Sequence, residues 1–160
     1  MTEIDTHSMR VPRTRESYLV FGSPQLLEDE IEEVEATLRS AWIGTGPRVA
    51  RFEEDFGRYV RADHAVAVSS CTAALHLSMV ALDLAPGDEV IVPAMTFAAT
   101  ANAVIHAGGT PVLADVDRET MCLAPEEIET RLTARTRAVI PVHFAGRPCR
   151  IEEIVALCDD

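Results

Sequence analysis

The 160-residue chain contains no lysine; all fourteen of its basic residues are arginine. That absence excludes a Walker A lysine on a nucleotide phosphate, a lysine general base, and any lysine amine able to condense with a carbonyl cofactor. Apolar runs are short, well under the roughly 18 residues that a membrane span requires, and Met1 to Ser17 is a polar leader without a signal-peptide core, so a cytoplasmic protein with no membrane partner is expected. Basic residues are scarce beside the 26 acidic ones, and the net charge of -12 repels phosphate backbones, which argues against nucleic acid as a partner. The four cysteines, Cys71, Cys122, Cys149 and Cys158, form no C-x-x-C pair, and the five histidines fall at no metal-binding spacing. Reduced, partly buried thiols and no metal site are expected.

What is present is a chain of single-domain size. Its hydrophobic fraction of 48% is ample for one core, and a chain this long buries roughly 70% of its unfolded surface. Leu27, Ile31, Val34 and Leu38 recur at helical spacing behind an acidic opening that suits the positive pole of a helix dipole. Gly44-Thr45-Gly46-Pro47 interrupts, and Val49, Phe52, Phe56 and Tyr59 mark a second amphipathic helix. From residue 64 the pattern alternates. Strands are expected at His64–Ser69, Glu89–Pro93, Thr110–Asp115 and Arg137–Val142, and helices near Thr72–Leu82, Phe97–Ala107, Pro125–Leu132 and Arg150–Asp160. Continuously apolar strands such as Val90-Ile91-Val92 require cover on both faces, so the fold class is α/β with a mainly parallel sheet. The last helix reaches Asp159-Asp160 with no capping glycine and with carboxylates at its negative pole, from which a truncated chain is expected.

Three segments could carry chemistry. Val66 to Leu75 reads as a strand passing through small polar residues into a helix that is apolar nearly all round and therefore expected to be buried. The free amides of that first turn would attract an anion, most often a phosphate; N-capping by Ser70 or Thr72 accounts for the same residues. Phe97 falls just past the next strand, at the edge where parallel sheets bind ligands, either as a face for a flat ring or as a core residue under the helix. Asp115 and Asp117, with one residue between them at the end of a strand, read as turn formers rather than an acid/base pair. Gly44-Thr45-Gly46 is not a dinucleotide fingerprint, because no strand precedes it.

In combination these segments are more specific. The order Trp42-Ile43-Gly44-Thr45-Gly46-Pro47, Phe52-Glu53-Glu54-Asp55-Phe56, Ser70-Cys71-Thr72-Ala73-Ala74-Leu75, Gly87-Asp88-Glu89-Val90-Ile91-Val92-Pro93, Thr96-Phe97-Ala98-Ala99-Thr100-Ala101-Asn102, Asp115-Val116-Asp117 and Pro141-Val142-His143-Phe144-Ala145-Gly146 resembles the DegT/DnrJ/EryC1/StrS aminotransferases from about residue 18 onward. The resemblance implies the amino-terminal part, 18–160, of a type I aspartate aminotransferase-like large domain. It implies pyridoxal 5'-phosphate (PLP) as cofactor, glutamate or glutamine as amino donor, a nucleotide-linked keto sugar as acceptor, and a homodimer at full length. It places the cofactor phosphate on Thr72 and the Ala73 backbone, with Cys71 also among the cofactor-binding residues, the pyridine ring against Phe97, and the sugar-side entrance at Thr45 and Gly46. Cys71 stands where many members have glycine. The lysine that anchors the cofactor and the aspartate that pairs with its ring nitrogen come later in the family, beyond Asp160, so no catalytic residue is expected in this chain and inactivity alone is expected. A PLP-dependent sugar dehydratase of the same family and a non-catalytic fragment that binds a full-length relative are the alternatives.

Overall fold

A computed structural model describes residue 22 and residues 24–159; the polar leader lies outside the described residues. Two helices come first. In α1 (Glu28–Arg39) the Glu30 carboxylate accepts the Leu27 backbone N–H at 2.7 Å, satisfying one of the amides that a helix start leaves open. Pro47 at the first position of α2 (Pro47–Val60) has no N–H to leave unsatisfied. Glu33 of α1 ties the two together through Arg48 and through Arg51 at 2.5 Å, and these guanidinium groups, Arg48 foremost, hold its carboxyl below the ordinary carboxylate range.

The α/β part follows as α3 (Cys71–Ala81), β1 (Glu89–Pro93), α4 (Ala99–His106), β2 (Thr110–Ala114), α5 (Pro125–Glu129), β3 (Thr136–Val139), a short 3-10 turn (Phe144–Gly146) and α6 (Ile151–Asp159). The three strands are parallel in the order β2-β1-β3, with Ile91 opposite Val112 on one side and Val139 on the other. Because successive side chains of a strand face opposite ways, β1 divides the core. Val90 and Val92 pack with Met79 of α3 and Ala103 and Val104 of α4. Ile91 packs on the other face with Leu123, Ile128 of α5, and Cys149 and Ile154 at α6. All five residues of β1 are buried, as its uninterrupted apolar run requires.

Two expectations need correction. The run His64–Ser69 is not a strand of the described sheet; its residues belong to no ladder. Backbone that reads as β becomes a strand only when another strand lies beside it, and none does among the described residues. Likewise α3 is apolar nearly all round yet buries only Met79, with Leu77 and Val80 about half exposed, because α4 and the sheet cover one side of it and nothing described covers the other. Smaller differences lie at element ends: α4 begins at Ala99, α5 stops at Glu129, and β3 closes at Val139.

At the amino-terminal end of β1, buried Glu89 accepts from the Thr133 hydroxyl at 2.6 Å and from Arg135 Nε at 2.9 Å. The Thr133 hydrogen bond, then Arg135, holds its carboxyl below the ordinary value of 4.5. The folded chain therefore binds this proton less readily than the unfolded chain, and the stabilisation is complete above the ordinary value and lost as pH falls through the depressed one. Glu89→Gln is expected to lower the melting temperature at pH 7 and to flatten its fall between pH 5 and pH 3; an acid limb as steep as that of the unsubstituted chain would refute this role.

Candidate functional site

The carboxyl ends of the parallel strands carry a cleft of about 480 Å³ with three walls. Cys71, Thr72 and Leu75 of α3 form the first, Thr96, Phe97 and Thr100 at the entry to α4 the second, and Ile140, Pro141, Val142 and Phe144 after β3 the third. Each wall follows from its element. Ser70, in extended conformation, caps α3 by accepting the Ala73 N–H on its hydroxyl at 3.1 Å. Of the two capping candidates, Ser70 takes the role and leaves the Thr72 side chain on the cleft wall. The Cys71 and Thr72 amides, first in the helix, have no preceding turn to bond, and with the helix dipole they give this wall its positive character. Ala73 N–H is already engaged, so an anion would take it only by sharing or displacing the Ser70 hydroxyl.

Across the cleft, buried Thr100 and Thr96 join hydroxyls at 2.9 Å, bracing the turn from which Phe97 projects. Phe97 is 80% exposed, which rules out a core phenylalanine under the helix. A large aromatic face open to a cleft is a surface for a flat apolar group. The third wall continues the ladder beyond β3, with Ile140 N–H donating to Ile91 O at 2.9 Å. No carboxylate, imidazole, guanidinium or amine lines this cleft among the described residues. The site can seat an anion and a ring, and the Cys71 thiol is the one ionisable side chain among its lining residues.

Thr45 and Gly46 lie elsewhere, beside a separate cleft of about 370 Å³ between the end of α1 and the start of α2. The indole of Trp42 donates to Thr45 O at 3.0 Å and lies against Gly46 so closely that a Cβ there would sit 2.3 Å from Nε1. Space, not backbone angle, reserves this position for glycine. Sequence reasoning assigned nothing to Trp42; its place four residues before a glycine that nothing else required was the available signal.

The remaining candidates are structural. Asp117 Oδ1 accepts the Glu119 and Thr120 amides at 3.1 and 2.8 Å, and these contacts, Thr120 foremost, depress its carboxyl, the turn role expected of it. Asp115 accepts the adjacent Val116 amide at 2.8 Å. Cys122 and Cys149 are buried free thiols, and burial, with the neighbouring Cys122 thiol, pushes Cys149 up; Cys71 and Cys158 are exposed. Among the described residues no cluster of three or more metal-ligating side chains occurs, and no helix is long and apolar enough to cross a membrane.

Residues 24–160 match the DegT/DnrJ/EryC1/StrS aminotransferase family. The chain belongs to this family. The DegT/DnrJ/EryC1/StrS relatives include the spore coat polysaccharide biosynthesis protein SpsC of Bacillus subtilis, 47% identical over 91% of the chain, and an uncharacterized protein of Methanocaldococcus jannaschii, 48% identical over the same share. In both cases the chain spans 38% of the relative's length. Among solved structures, a Streptococcus pneumoniae protein assigned as a sugar aminotransferase, in its PLP form, superposes with a TM-score of 0.81 at 39% identity, over 87% of this chain and 36% of that one. An aminotransferase from Psychrobacter cryohalolentis superposes at 0.80 with 38% identity, over 85% and 35%. The architecture thus matches part of these aminotransferase structures, an α/β fold with a three-stranded parallel sheet among the described residues.

Proposed function

We propose that this chain is the cofactor-seating part of a PLP-dependent aminotransferase that moves an amino group from glutamate or glutamine to a nucleotide-linked keto sugar. The observation that carries this reading is the cleft at the strand ends, with a helix start on one wall and the exposed ring of Phe97 on another. Its chemistry fits the cofactor: open amides and a hydroxyl for a phosphate, an aromatic face for a pyridine. The Cys71 and Thr72 amides and the Thr72 hydroxyl would bind the phosphate, with the Ala73 amide shared with Ser70. Phe97 would cover one face of the ring and keep water from it, while the Thr96–Thr100 pair fixes the turn that presents it. The cofactor, when bound, supplies an electron sink at the substrate carbon. Because the cleft lining carries no carboxylate, imidazole or amine and the chain has no lysine, we assign the chemistry to polypeptide other than this chain and read the chain alone as inactive.

Thr45 and Gly46 belong to the sugar-side entrance in this reading, held in shape by Trp42. Exposed apolar residues on the first two helices, among them Leu27, Leu38, Phe52 and Tyr59, support association with further polypeptide, both the remainder of a full-length enzyme and a second subunit. Cys71 provides the test, since its thiol is exposed and lines the cleft. PLP is expected to slow alkylation of Cys71 by iodoacetamide, inorganic phosphate to compete with that protection, and Cys158 to react at an unchanged rate. Borohydride reduction is expected to leave every side chain without an adduct. Alkylation of Cys71 at the same rate with and without millimolar PLP would sink the proposal.

A further inference from the structure

The seat on α3 is delivered by residues 64–68, a run with no strand beside it among the described residues, in which Val66 is 78% exposed. Among the described residues a side chain of α2 holds this run. The Ala67 N–H donates to Glu53 Oε1 of α2 at 2.8 Å, in a half-buried contact. One helical turn further along α2 comes Gly57, which is buried; a Cβ there would stand 3.3 Å from Ala62 O and 3.8 Å from Ala65 Cβ. The Ala62 N–H also donates to Gly57 O at 2.9 Å. Glu53 and Gly57, four residues apart and so on the same face of α2, thus face the run, Gly57 toward the Ala65 side chain and Glu53 by charge-assisted hydrogen bonding to Ala67. Three residues beyond Ala67, Ser70 caps α3.

We propose that Glu53 is a positioning residue: by accepting the Ala67 N–H its carboxylate ties the run to α2 and so fixes where the first turn of α3 presents its amides and the Thr72 hydroxyl. This rests on the reading of that turn as a phosphate seat. A lost acceptor would loosen the run, because among the described residues the Ala67 amide donates to Glu53. The affinity of the seat would fall although Glu53 touches no ligand.

The test uses the whole chain with Glu53→Ala and Glu53→Gln. Glu53→Ala is expected to speed amide hydrogen exchange at Ala67 roughly tenfold or more, to weaken the PLP protection of Cys71 several-fold, and to leave exchange at Ile91 and Val92 in β1 unchanged. Glu53→Gln keeps an oxygen acceptor and is expected to restore both Ala67 exchange and PLP protection, a rescue that a general loss of folding would not give. Unaltered Ala67 exchange in Glu53→Ala overturns the proposal, as does full PLP protection in a variant whose Ala67 amide has become labile, or a Glu53→Gln variant that behaves like the alanine. Absence of PLP protection in the unsubstituted chain sinks the phosphate seat instead, and Ala67 exchange still decides whether Glu53 holds the run.

Discussion

Replacing Ile91 with alanine is expected to destabilise the chain by about 2–5 kcal/mol, the range for truncating a large aliphatic side chain in a packed core. Ile91 is fully buried at the centre of the middle strand, and its side chain joins the layer formed by Leu123, Ile128, Cys149 and Ile154. Few neighbours can close on the space left, since β1 is flanked by β2 and β3 and covered by helices. Leu113 on β2 is the control: it is 58% exposed, and its truncation to alanine is expected to cost about 0.5 kcal/mol or less. Urea denaturation followed by circular dichroism reads both, with the difference in midpoint and not in slope. Equal midpoints for the two variants would show that the described core does not carry the stability of the chain.

β1 was legible because its information is local: Val90-Ile91-Val92 needs cover on both faces wherever it sits. The amphipathic helices were legible for the same reason, from Phe52 and Phe56 on α2 to Ile151 and Ile154 on α6. The run before α3 was not, because β character resides in Val66 and Val68 while strand pairing depends on a neighbour that local sequence does not name. For α3 the sequence records which surfaces want cover, and Leu77 and Val80 show that this differs from what the described residues supply. At the site, the helix start was visible and the choice between Ser70 and Thr72 was not, since both hydroxyls are compatible with a cap and only the extended backbone of Ser70 decides. The wall from Ile140 to Phe144 reaches the cleft only through the crossover that sets β3 beside β1. The Glu53–Ala67 contact was hidden in an acidic stretch, Glu53-Glu54-Asp55, whose other two members pair with Arg58 on the helix surface.

Truncation of Phe97 to alanine is expected to separate binding from stability. An 80% exposed ring contributes little to the folded state, so the unfolding free energy read from urea denaturation should change by no more than about 0.5 kcal/mol. PLP should nevertheless bind about 2- to 10-fold more weakly, because an aromatic pair adds roughly 0.5–1.5 kcal/mol beyond the area it buries. Phe97→Trp keeps a planar face and is expected to hold PLP as well as the parent chain, whereas Phe97→Leu keeps apolar bulk without the face and should fall between. Protection of Cys71 from alkylation measures all of these on one scale, since Cys71 lines the opposite wall of the cleft. Inorganic phosphate supplies the internal comparison. It has no ring, so its competition at Cys71 should be indifferent to Phe97 and sensitive to Thr72→Ala. If Phe97→Ala weakened phosphate and PLP equally, the ring would be acting on the α3 wall and not on a bound pyridine, and the division of the cleft into a phosphate end and a ring face would be wrong.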